Sequence, residues 1–201
     1  MTKNSYIKAE KIFRQHNGIL RTSQAKKLGI DQPILIQMFE EGLLVREARG
    51  LYRLADLTPL SNPDFVQVAI RIPDAVICLI SALNYHNLTT QIPYRVYIAL
   101  PQKTKAPRIE YPPLDIVYLS ETPYITGIKE YALDGIPVRI YSREKTVADC
   151  FKFQNKVGLD IAIEALKDYL HQPEYNLGEL LRCAQVDRVG NIVQPYIKAA
   201  L

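Results

Sequence analysis

The chain has 201 residues, 48% of them hydrophobic and 23% charged, with near-balanced signs and a formal net charge of +4. Such a composition builds an ordinary globular core and excludes a disordered chain or a coiled coil. The longest unbroken apolar run, Ala75 to Ile80, falls far short of the roughly 20 residues of a membrane span, and no apolar stretch follows Met1-Thr2-Lys3-Asn4-Ser5 as it would in a signal peptide.

A soluble, cytoplasmic protein with no membrane contact is therefore expected. The cysteines agree: Cys78, Cys150 and Cys183 are odd in number and far apart, so they suit a reducing compartment and form no disulfide framework or zinc knuckle. Charge is unevenly placed. Residues 1–58 hold 10 Lys+Arg against 6 Asp+Glu, whereas the remainder holds 15 of each and 11 of the 13 tyrosines. The break falls at Leu57-Thr58-Pro59-Leu60-Ser61-Asn62-Pro63, where prolines and small polar residues interrupt any periodic pattern. Two domains are expected, a basic one over 1–58 and a neutral one over 59–201.

In chain order, Tyr6, Ala9 and Phe13 recur with helical spacing and Gly18 ends that segment, which predicts a first helix over 5–16. Thr22 or Ser23 caps a short second helix through Leu28, Gly29 supplies a left-handed turn, and Asp31 caps a third helix that accommodates Pro33 in its first turn. Leu28, Ile30, Leu35 and Met38 are the expected core of this unit. Strands over 43–47 and 51–54 then flank Ala48-Arg49-Gly50, a three-residue hairpin loop. Three helices followed by a hairpin make a winged helix-turn-helix.

If such a unit meets double-stranded DNA, Arg21, Thr22, Ser23, Lys26 and Lys27 reach phosphates from the second helix, and Arg46, Arg49 and Arg53 reach them from the wing. Gln32 and Gln37 are the base readers, because a glutamine amide pairs bidentately with adenine in the major groove. The third helix has no Lys or Arg and ends in Glu40-Glu41, so affinity rests on the wing and the second helix. The competing use of the same unit is a protein contact with a merely solvated basic face.

In the second part, Pro73-Asp74 opens an apolar stretch over 75–85 that reads as a central core helix. Tyr94, Val96, Ile98 and Leu100 alternate along a strand, and 114–119 is a second strand. Between them, residues 101–113 carry four prolines with Lys103, Lys105 and Arg108, an extended basic loop that serves as a connector or as an extra nucleic-acid or partner contact. Asp134-Gly135 marks a type I′ hairpin, Ser142 caps a helix bearing Val147, Cys150 and Phe151, and helices follow over 159–170, 177–184 and 193–200. The fold class is α+β: a winged helix-turn-helix, then a larger mixed domain with a small sheet and several helices.

Chemistry-bearing motifs are missing from the sequence. His16, His86 and His171 have no metal-binding spacing, and there is no phosphate-binding glycine loop or nucleophile elbow, so neither catalytic residues, a metal nor a cofactor is expected. The order of the winged helix, then Ile80-Ser81-Ala82-Leu83-Asn84-Tyr85-His86-Asn87-Leu88-Thr89, then Val138-Arg139-Ile140-Tyr141-Ser142-Arg143-Glu144-Lys145-Thr146-Val147-Ala148-Asp149-Cys150, resembles the AbiEi antitoxins of type IV toxin-antitoxin (abortive infection) systems.

The resemblance implies a non-enzymatic phage-defence regulator. Its winged helix would repress its own operon at inverted repeats in the promoter, and its C-terminal domain would counteract a nucleotidyltransferase-like AbiEii toxin without a stable complex being required. It places antitoxin work on a surface around Arg143, Lys145 and Asp149. The alternatives are a ligand-sensing winged-helix regulator outside such a system, with a small molecule bound by the tyrosine-rich part, and a nucleic-acid-processing enzyme.

Overall fold

The computed structural model describes residues 3–200. The chain runs α1 (Lys3–Gln15), β1 (Ile19–Arg21), α2 (Thr22–Lys27), α3 (Gln32–Glu40), β2 (Leu44–Ala48) and β3 (Leu51–Leu54). These elements form a helical unit on a three-stranded antiparallel sheet of order β1-β3-β2, the winged-helix arrangement. Its core is Ala9, Phe13, Leu20, Ala25, Ile30, Leu35, Met38, Leu44 and Leu54. Leu28 departs from expectation. It caps the C-terminus of α2 and is 38% exposed, because the left-handed turn at Gly29 (φ +84°) hands the inward position to Ile30.

The second part continues with α4 (Pro63–Arg71), β4 (Val76–Ile77), α5 (Leu79–Tyr85), β5 (Val96–Pro101), β6 (Leu114–Leu119), α6 (Glu121–Ile125), β7 (Ile128–Leu133) and β8 (Ile136–Tyr141). Helices α7 (Arg143–Lys152), α8 (Gln154–Val157), α9 (Leu159–Leu170), α10 (Leu177–Val186) and α11 (Gly190–Ala200) complete it. Its five-stranded mixed sheet has the order β6-β5-β4-β8-β7. The fold class is α+β, as the element pattern predicts.

The expected helix over 75–85 is only half a helix. Val76 and Ile77 form the central strand, antiparallel to β5 and parallel to β8, and α5 begins at Leu79. A strand covered on both faces reads as a continuous apolar run, which periodicity does not distinguish from a buried helix. The two faces are plain in the packing. Ile77, Val96, Ile98, Leu100, Val138 and Ile140 face α4 with its Val66 and Val68, whereas Val76, Cys78, Tyr97, Ala99 and Tyr141 face the helical layer that includes α5, α7 and α9. Tyr94 lies outside β5 and is 79% exposed.

The hairpin at Asp134-Gly135 has both residues at positive φ, +51° and +78°, as a type I′ turn requires. It also touches the N-terminal unit, since Asn17 Nδ2 donates to Gly135 O at 2.7 Å, and it holds the linker, with Ser61 N donating to Asp134 Oδ2 at 3.0 Å. Ile19 and Leu51 of the three-stranded sheet share one apolar cluster with α4. Among the described residues, no helix is long and apolar enough to cross a membrane.

Candidate nucleic-acid interface

Helix α2 starts directly from β1. Arg21 is its N-cap, with its amide donating to Gln24 Oε1 at 3.1 Å, so Thr22 and Ser23 open the helix instead of capping it. Thr22 N donates to Gly50 O at 2.9 Å, which ties the start of α2 to the tip of the wing. Ser23, Lys26 and Lys27 are exposed, and Arg21 and Thr22 are partly so. Neither Lys26 nor Lys27 has an ion pair among the described residues.

On α3 the two glutamines separate. Gln32 is exposed at the first turn. Gln37 is half-buried, with its Oε1 3.3 Å from the Tyr6 hydroxyl, which donates to Glu41 Oε1 at 2.7 Å. The outer face of α3 is otherwise apolar and acidic, with Ile36 and Phe39 more than 40% exposed beside Glu40.

The wing turn is two residues, Arg49 and Gly50, because Ala48 pairs with Leu51 and a bulge falls between Arg46 and Ala48. Arg46 is exposed without an ion pair among the described residues. Arg49 is exposed and pairs with Glu110 at 3.2 Å, a solvated contact worth little. Arg53 is a correction: its side chain is 7% exposed, its Nε donates to Glu47 Oε1 at 2.5 Å and its Nη1 to the carbonyls of Leu54 and Leu57. It is buried on β3 and braces the chain leaving the wing instead of standing free in solvent.

The surface expected around Arg143, Lys145 and Asp149 is also corrected in part. Ser142 caps α7 as predicted, its Oγ accepting from Lys145 N at 3.3 Å. Lys145 and Asp149 then point into the core, with side chains 0% and 1% exposed and 2.5 Å apart. Lys145 Nζ lies 3.1 Å from Asp187 Oδ2 and 4.6 Å from the centre of the Tyr141 ring, and Lys152 reaches Asp187 at 3.2 Å.

Burial drives the Asp149 carboxyl well above the usual carboxylate range, with Lys145 opposing and Asp187 reinforcing the shift. Burial also pulls the Lys145 ammonium down, but Asp149 and Asp187 outweigh it and hold the group above its ordinary value. An i, i+4 Lys-Asp pair reads as a surface pair in sequence. The partner that makes it a buried network, Asp187, lies in a different helical region, and no local signal points to it.

Only Arg143 remains at the surface, its Nη1 donating to Gln172 Oε1 at 2.7 Å. It lines a groove of about 500 Å³ with Tyr85, His86 and Tyr131. His86 Nε2 lies 2.7 Å from Tyr141 O, and burial lowers its pKa below the ordinary value despite that bond. Among the described residues, no three His, Cys, Asp or Glu side chains are placed to hold a metal ion.

Residues 8–55, from α1 through the wing, match the family model described as "Transcriptional regulator, AbiEi antitoxin". That match spans the whole candidate interface. Over 98% of its length the chain is similar in fold to 82% of the chain in the crystal structure of the RV2827C protein from Mycobacterium tuberculosis, with a TM-score of 0.56 and 11% identity. At that identity the likeness is one of fold alone. No curated protein matches the sequence.

Proposed function

We propose that this protein is a DNA-binding antitoxin that represses its own operon through a domain over 1–58 and counteracts a nucleotidyltransferase-like toxin, in the manner of a type IV system, through a domain over 59–201. One observation carries the DNA half of the reading. Within the segment that matches a transcriptional-regulator family, Lys26, Lys27 and Arg46 stand exposed with no counter-ion among the described residues. Solvated cations of this kind are free to replace the counterions of a phosphate backbone. Gln32, exposed at the start of α3, is the base reader of this proposal, and Arg21, Thr22, Ser23 and Arg49 are further backbone contacts.

The test is the salt dependence of binding by the full chain to a duplex from the region preceding its own reading frame. Lys26→Ala with Lys27→Ala should flatten the slope of log K against log salt by about 1.8, near 0.9 per lost phosphate contact. An unchanged slope removes these lysines from the interface. For the antitoxin half, co-expression with an adjacent nucleotidyltransferase-like toxin should restore growth, and loss of protection should accompany disruption of the 59–201 core.

The groove beside Arg143 favours a second reading, in which a small ligand tunes a regulator that belongs to no toxin pair. A neighbouring metabolic operon in place of a toxin gene would support that alternative.

A further inference from the structure

We infer that the strap joining β5 to β6, residues 102–113, is a further DNA-contacting element outside the winged unit that sets Lys103, Lys105 and Arg108 on the backbone of the duplex held by that unit; the inference rests on the DNA-binding reading above. Strands β5 and β6 are parallel neighbours, so the chain must travel back the length of the strand between them. That return is usually helical. Here Pro107, Pro112 and Pro113 hold it extended, with Lys103, Lys105 and Arg108 exposed.

The strap lies beside the wing and α4. Ile109 joins the apolar cluster that contains Leu51 and Ala48, Glu110 accepts from Arg49 Nη1 at 3.2 Å, and the Tyr111 hydroxyl donates to Asp64 Oδ2 at 3.4 Å. From the other side, Arg71 Nη2 donates to Arg49 O at 2.5 Å and Arg21 Nη1 to Ile70 O at 3.5 Å. The wing tip is thus held between the last turn of α4 and the strap. Basic side chains gather at that turn, where the helix C-terminus favours them.

Chain geometry fixes the reach. The Cα of Arg108 lies within about 7 Å of that of Glu110, and those of Lys105 and Lys103 within about 18 and 25 Å. All three distances are shorter than one turn of duplex DNA, roughly 34 Å. A duplex that lies along the wing and the strap together would offer phosphates to each of them. The three cations are exposed and have no ion pair among the described residues, while the only acid of the strap, Glu110, is engaged with Arg49. The even charge balance beyond residue 58 conceals this local excess, because the compensating carboxylates lie elsewhere.

The test measures fluorescence anisotropy of a random duplex of about 30 base pairs with the full chain, over roughly 50 to 300 mM salt. Lys103→Ala/Lys105→Ala/Arg108→Ala should lower the slope of log K against log salt by about 2.7, equally on any sequence, with the thermal midpoint unchanged. Lys26→Ala/Lys27→Ala runs beside it. A strap variant whose slope moves by less than about 0.5 while the lysine pair lowers it by about 1.8 overturns the inference and leaves the DNA reading intact. Absence of salt-dependent binding by the unmodified chain overturns both.

Discussion

Two groups of lysines in this protein look alike in sequence and do opposite work. Lys26 and Lys27 project from α2 into water with no partner among the described residues. Lys145 is wholly buried between Asp149 and Asp187. The first pair stays hydrated on folding and keeps its charge available to a polyanion, so its removal should be felt in binding and not in folding. The second gave up its hydration on folding and is kept charged only by its carboxylates, so its removal should be felt in folding. Burial, not residue type, decides what a charge does.

The largest effect should come from Lys145→Ala, which leaves the buried Asp149 without its cationic partner and Asp187 with Lys152 alone. The expected loss is about 3 to 5 kcal/mol in urea or thermal unfolding. Lys145→Met combined with Asp149→Leu should cost less than the single change, since Asp187 keeps Lys152. If the single variant unfolded like the parent, the network would not be the buried brace described here.

Next in size is Arg53→Ala. It leaves Glu47 and the carbonyls of Leu54 and Leu57 without their donor, at a cost of about 2 to 3 kcal/mol. The salt slope of DNA binding should hardly move, in contrast to Lys26→Ala/Lys27→Ala; a drop near 0.9 would return Arg53 to the interface.

Gln32→Ala should narrow the gap between operator and random DNA by about 1 to 3 kcal/mol. Gln37→Ala should narrow it less, because that side chain is half-buried beside Tyr6. Equal losses would mean that α3 rotates or that Tyr6 releases Gln37 on binding.

The smallest effect concerns pH. Burial lowers the pKa of His86 from its ordinary 6.5, against the opposing bond to Tyr141 O. The unfolded chain therefore takes up the proton first as pH falls, and the stability tied to neutral His86 is complete above 6.5 and is lost below it, toward the lower folded value. Thermal midpoints at about pH 7.5 and 5.5 should differ less in His86→Phe than in the parent chain.

Much of this architecture is written locally. The spacing of Tyr6, Ala9 and Phe13, the turn at Gly29, the Asp134-Gly135 hairpin and the Ser142 cap each fix an element through interactions spanning a few residues, and all four elements stand where the sequence puts them. Sequence by itself also determined the exposed cations of α2 and the link of the N-terminal segment to a regulator family. The tertiary structure alone decided that Val76 and Ile77 are the central strand, since only the neighbours β5 and β8 make an apolar run extended instead of helical. It decided that Arg53 and Lys145 are internal, because the groups that satisfy them include Leu57 O beyond the wing and Asp187, 42 residues away in the chain. And it decided that the strap over 102–113 meets the wing, a contact between segments 61 residues apart that no local pattern encodes.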